Sequence, residues 1–127
     1  MVPKALAAWH EIIRTRDPAA LDVLLAEDVA FHSPVVHTPQ RGKAITTKYL
    51  AAAVAVLGGA DFRYVEEWVG PRSAVLEFVT SLDGIEVNGV DIIGWNADDQ
   101  IDRFKVMVRP LKAIEAVRQR MAAALAG

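Results

Sequence analysis

NGVDIIGWNADDQIDRFKVMVRP, residues 88–110, reads as two long strands joined by a polar turn at Asn96–Gln100. Side chains two apart on a strand share a face. On the first strand Asp91, Ile93 and Trp95 therefore point one way. On the second, Asp102, Phe104, Val106 and Val108 share a side, while Arg103, Lys105 and Arg109 take the other. The apolar sets are the inward ones, which places a carboxylate, Asp91, among large apolar side chains. Burial disfavours the charged form, so Asp91 is expected to keep its proton above the ordinary carboxylate range. The alternative is a carboxylate held charged by a neighbouring arginine or backbone amide. In either case Asp91 is the leading candidate for function.

Upstream of this hairpin the period is also two. Phe62, Tyr64, Glu66 and Trp68 alternate with Arg63, Val65, Glu67 and Val69, Gly70-Pro71 turns the chain, and Ala74, Leu76, Phe78 and Thr80 carry the next inward face. Asp83-Gly84 signals a hairpin. Asn88-Gly89 gives a second turn signal so soon after it that two turns would leave a very short strand. It is therefore read as a bulge that bends one long strand, with a turn as the alternative.

Before Asp61 the spacing is helical. Leu6, Trp9 and Ile13 define a first helix from about Pro3 to Arg16. Asp17-Pro18 starts a short second one, with Leu21, Leu24 and Leu25 as its apolar face. An extended stretch over Val29–Ser33 and a loop bracketed by Pro34 and Pro39 follow. A third helix runs from Gly42 to about Leu57 with Ile45, Tyr49, Ala52 and Val56 on one face, and Gly58-Gly59 ends it. After Pro110 a last helix, roughly Leu111 to Ala124, presents Ile114, Val117 and Met121. Helices placed before and after a run of antiparallel strands make an α+β domain, expected here as one unit over residues 1–127.

At 127 residues and 53% apolar composition the chain has enough material for a sizeable core. A net charge of −2 gives no electrostatic reason to expect nucleic acid or an anionic membrane as partner. The absence of cysteine excludes disulfides, thiol nucleophiles and thiolate metal sites. No signal sequence or membrane-length apolar run is read, so a cytoplasmic location is expected.

Three pieces resemble the nuclear transport factor 2-like (NTF2-like) superfamily, and its SnoaL-like branch in particular. They are D-P-x-x-L-x-x-L-L-A-E-D-V-x-F from Asp17 to Phe31, P-x-x-x-T-P-Q-R-G-K before the third helix, and the closing hairpin with W-N-x-D-x-x-I. The resemblance implies a cone-shaped α+β barrel, with helices packed on a strongly curved, mainly antiparallel sheet. It further implies a pocket at the open end and, commonly, a homodimer. It does not choose one reaction, because relatives of this fold include isomerases, cyclases, dehydratases, epoxide hydrolases and plain binding modules. Laid on the ketosteroid isomerases of the fold, their oxyanion-hole tyrosine falls at Trp9, their base aspartate at Ser33 and their oxyanion-hole aspartic acid at Asp91. One of the three is retained, which argues against isomerisation by that route.

The resulting expectation is a protein that binds a small, mostly apolar molecule in its cone cavity. Asp91 and His32 are the candidates for acid–base chemistry of the isomerase or cyclase type. Trp9, Ser33, His37, Tyr49, Trp95 and Phe104 are the candidates for contact with the ligand. His32 and His37 have no third residue at metal-ligand spacing, so no metal is expected, and no cofactor. Ser33 lacks a recognisable base, so a serine hydrolase is rejected. The other class kept open is a non-catalytic dimerisation or partner-binding module whose cavity is filled by its own side chains. A homodimer through the outer sheet face is expected in both cases, because Val65, Val75, Val79 and Met107 oppose the core face.

Overall fold

A computed structural model of the chain describes residues 2–126. Helix α1 spans Lys4–Thr15, a short 3-10 turn Pro18–Ala20 and α2 Leu21–Leu24. Strands β1 (Leu25–His32) and β2 (Gln40–Arg41) precede α3 (Lys43–Leu57). Then come β3 (Arg63–Val69), β4 (Ser73–Leu82), β5 (Ile85–Trp95), β6 (Ile101–Arg109) and α4 (Leu111–Ala126). The architecture is α+β, as the sequence implies: four α-helices on one six-stranded, curved and unclosed sheet.

The strand order is β2-β1-β6-β5-β4-β3. The run β3 to β6 is an antiparallel meander, and β1 joins its far edge parallel to β6. Helices α3 and α4 pack on each other, α3 against β1 and α4 against β5 and β6. The inward side chains of β4 (Ala74, Leu76, Phe78, Thr80, Leu82) alternate with outward ones as the period of two requires. On α1, Leu6, Trp9 and Ile12 are buried, and Asp17 caps the next turn by accepting from the amide of Ala19 at 3.0 Å.

Several local expectations are corrected. Strand β1 starts at Leu25 rather than Val29, since α2 is a single turn and Leu25 already pairs with Ile101. Gln40–Arg41, expected as loop, pairs antiparallel with Ala30 and Phe31, and the amide of Gly42 donates to the Val29 carbonyl at 2.8 Å. Helix α3 buries Thr46, Leu50 and Val54, one position round from the stripe expected. Its sequence is apolar on most sides, so spacing alone does not say which stripe faces in.

The irregularities of the sheet also fall elsewhere than expected. Asn88 and Gly89 lie in unbroken ladders with Val79 and Phe78 on one side and Arg109 and Val108 on the other. Gly89 is there for close approach: a Cβ would lie 2.4 Å from the Met107 carbonyl oxygen and 2.6 Å from the Phe78 ring. The register shifts instead between Tyr64 and Glu66 and between Gly94 and Trp95. The first shift sends Trp68 outward, opposite Val75, where it is 53% exposed. The second pairs Trp95 with Ile101, so Ile101 is buried and Asp102 is displaced from the inward set. Among the described residues, no helix is long and apolar enough to cross a membrane.

Candidate functional site

Between the concave face of the sheet and α1, α3 and α4 lies a cavity of about 230 Å³. Phe31 of β1, Phe78 of β4, and Phe104 and Val106 of β6 form its sheet wall, and Tyr49, Leu50, Ala53 and Val54 of α3 form the helical wall. Trp9 meets Phe104 edge-on at 4.8 Å, and Phe31 is tilted against Tyr49 at 5.7 Å. Val36, Arg118 and Ala122 are lining residues that are also exposed, so the mouth lies between the loop after β1 and α4.

Asp91 is the only carboxylate buried among the described residues, at 6% exposed, and it lies in the wall of this cavity. The alternation on β5 turns it inward, as expected, with Leu76 opposite on β4 and Val106 opposite on β6. Its Oδ2 accepts a hydrogen bond from the Tyr64 hydroxyl at 2.5 Å, and that hydroxyl accepts one from Trp9 Nε1 at 2.9 Å. Among the described residues no lysine, arginine or histidine forms an ion pair with it, so the arginine-paired alternative has no partner here. Desolvation pushes its pKa up from 3.8 to about 7, against the opposing pull of the Tyr64 hydrogen bond. Tyr64 itself is raised well above the ordinary phenol value, first by desolvation and then by the neighbouring Asp91.

Of the residues expected in the site, Trp9, Ser33, Tyr49, Asp91 and Phe104 all line the cavity. The Ser33 hydroxyl oxygen accepts from the amide of Val35 at 3.1 Å, which shapes the loop at the mouth. His32, His37 and Trp95 are not in the lining. His32 follows Phe31 on β1 and so takes the opposite face. Desolvation, Lys105 and Arg41 lower its pKa there. His37 is exposed on the loop, and Trp95 is buried in the core. Asp91 and His32 therefore lie on opposite sides of the sheet. Among the described residues, no three acidic or histidine side chains come together to hold a metal.

Tyr64 is the residue that sequence reasoning missed. Its inward direction was readable from the alternation with Phe62. Its partner follows only from register: the Asp83-Gly84 turn fixes Phe78 opposite Gly89, and Tyr64 is opposite Phe78, which brings β3 to within a side chain's reach of Asp91. The shift after Tyr64 adds Glu67 to the inner side, where it meets His10 of α1 at 2.7 Å. The His10 ring stands edge-on to Tyr64 at 5.5 Å.

Comparison with known proteins fits this geometry. The family model of the SnoaL-like domain matches residues 6–104. The crystal structure of a steroid delta-isomerase from Pseudomonas aeruginosa superposes with a TM-score of 0.91 at 35% identity, over 96% of this chain and 89% of that one. An uncharacterised protein with a cystatin-like fold from Silicibacter pomeroyi gives 0.88 at 29% identity, over 96% of this chain and 85% of that one. An NTF2-like protein of unknown function from Mesorhizobium loti gives 0.73 at 21% identity, over 84% and 89%, a likeness of fold alone. Among curated proteins none matches. With most of its length covered by the family model, the chain belongs to the SnoaL-like domain family of the NTF2-like superfamily.

Proposed function

We propose that the cavity takes up a small, mostly apolar molecule carrying one acceptor oxygen, and that Asp91 serves it as hydrogen-bond donor and acid. The observation that carries this reading is a lone carboxyl group in an otherwise apolar wall, with its pKa raised to about 7. Such a group is half protonated near neutrality, where a general acid is most effective. A carbonyl oxygen placed against it would receive the proton as charge develops there. Ser33 stands where ketosteroid isomerases have their base carboxylate, so a double-bond shift by that route finds no base in this wall. The likeness to a steroid delta-isomerase supports an apolar ligand for this fold, and without a base in the wall it does not carry that reaction over.

Size narrows the ligand. An apolar cavity of ~150 Å³ accommodates benzene, and ordinary ligand pockets span roughly 300–1,000 Å³. At about 230 Å³, this cavity favours a molecule of one or two rings over a full steroid nucleus. Unfilled space of that size also counts against a cone packed by its own side chains.

The test is thermal melting against aromatic ketones, terpenoid ketones and phenols, with steroids as the larger arm. A ligand at 100 times its dissociation constant adds about 2.7 kcal/mol, a rise in melting temperature of roughly 3–6 °C. The expected result is a rise with small ketones that weakens as pH climbs through about 7, where Asp91 loses its proton. No rise with any member of the panel counts against ligand binding.

We also propose that a second copy covers the outer face of the sheet. Val75, Val79, Val90 and Ile92 form a half-buried apolar strip there, flanked by exposed Val65, Trp68 and Met107. Arg41, His32, Arg103 and Lys105 lie on the β2, β1 and β6 side, and Glu66, Glu77 and Glu86 on the β3, β4 and β5 side. A two-fold partner would set the basic half of one copy against the acidic half of the other. Light scattering at tens of micromolar should report a dimer, and a monomer would remove the idea.

A further inference from the structure

We infer that Tyr64 is the positioning residue of the site: by accepting from Trp9 and donating to one carboxyl oxygen of Asp91, it leaves the other oxygen to carry the proton toward a cavity occupant. The inference rests on the acid role proposed for Asp91. It begins from donor and acceptor counting. The indole N–H of Trp9 is a donor only, so Tyr64 must be the acceptor of that bond. A phenol has one hydrogen to give, and with Trp9 approaching from one side it is turned to Asp91 Oδ2. A proton on Oδ2 would face that hydrogen. The acid proton of Asp91 therefore belongs on Oδ1, since the one side-chain hydrogen bond to Asp91 among the described residues, from Tyr64, is made to Oδ2.

Tyr64 does this from outside the cavity. It is not among the lining residues, whereas Trp9 and Asp91 both are. Its ring is wedged between Phe62, edge-on at 5.1 Å, and His10, edge-on at 5.5 Å, which fixes the direction of its hydroxyl. The bond has a second effect. A donor to the carboxylate favours the ionised form, so Tyr64 strengthens an acid that burial alone would weaken further.

Few other charges face this pair. Helix α1 contributes His10 and β3 contributes Glu67, which are bonded to each other. Helix α4 contributes Arg118 at the cavity mouth, bonded to Glu115. The facing residues of β4 and β6, Leu76 and Val106, carry no charge.

Carbon-13 NMR of aspartate-labelled protein tests the inference, with Asp91→Asn identifying the resonance. In the parent the Asp91 carboxyl should titrate near 7. In Tyr64→Phe its midpoint should rise by about one pH unit. In Trp9→Phe it should move the same way by less, since Tyr64 is then a weaker donor. The parent should also show a hydroxyl proton far downfield that moves upfield in Asp91→Asn, whose neutral amide oxygen is a weaker acceptor, a readout that does not depend on the Phe variants folding. A Tyr64→Phe midpoint that stays put or falls, with or without a loss of melting temperature, overturns the positioning role and leaves the acid role standing. So does the absence of the downfield proton. A parent midpoint in the ordinary carboxylate range overturns both roles.

Discussion

On the inner face of the sheet one carboxyl group, Asp91, stands alone among aromatic and aliphatic side chains. On the outer face of the same strands, charges of both signs sit beside half-buried valines and isoleucines. Both faces descend from the same alternation, yet they treat a charge differently. Outside, water and neighbouring charges screen it, and exposed pairs contribute little. Inside, the cost of desolvation dominates and is relieved by keeping a proton rather than by finding a cation.

The largest expected effect tests that contrast directly. With its pKa raised from 3.8 to about 7, the folded state holds a proton that the unfolded chain releases. The associated stability is fully present below the unfolded value and is lost as pH rises through about 7. Asp91→Asn keeps the shape and an acceptor for Tyr64 but does not ionise. It should gain on the parent between about pH 4 and 7, by at most about 4 kcal/mol, and level off above. Denaturant melts of both proteins at pH 4.5, 6 and 8 measure this. A parent that gains on the variant with rising pH would mean the inner carboxylate is wanted charged after all.

The next effect concerns packing on the inner face. Gly89→Ala drives a methyl into the Met107 carbonyl and the Phe78 ring and should cost about 2–3 kcal/mol, read from the midpoint of a denaturant melt. A smaller change arises outside. Met107→Asp, placed in the proposed dimer face, should raise the dimer dissociation constant about tenfold, roughly 1.4 kcal/mol, in sedimentation over a dilution series. The smallest is a control. Glu77→Gln makes the matching carboxylate-to-amide change on the outer face of the adjacent strand, where Glu77 accepts from Asn88 at 3.1 Å. Its effect on stability should stay within about 0.5 kcal/mol. A change as large as that of Asp91→Asn would erase the distinction between the faces.

The same contrast explains what could be read beforehand. Strict alternation through β4 and β5 was legible, and with it the inward placement of Asp91. Strand β6 was legible from Phe104 on, but not at Asp102, because a register shift of one residue there is set by the sheet and leaves no mark on composition. Trp68 went outward for the same reason, after the shift beyond Tyr64. Asn88-Gly89 carried the signal of a turn, yet the glycine serves the Phe78 ring instead. Of the candidate site, Trp9, Tyr49, Asp91 and Phe104 on helices and strands, and Ser33 on the loop after β1, lie in the cavity wall, whereas Trp95 at the end of β5 is packed into the core. His32 does not share the wall, since sequence neighbours on a strand face apart and Phe31 already takes the inner side.

One feature of Tyr64 reaches beyond its hydrogen bond. It is carried by β3, the edge strand, which is laddered only to β4 and is exposed along most of its length. Edge segments of this kind open locally far more often than the centre of a sheet. Each opening separates the phenol from Asp91, and a hydrogen bond to a carboxylate is stronger than one to the neutral acid. Loss of the proton from Asp91 therefore tightens β3 onto the sheet, and backbone amide exchange along β3 should slow, relative to its intrinsic rate, as pH rises past about 7. The charge of one buried residue would then be legible in the breathing of a strand at the molecule's rim.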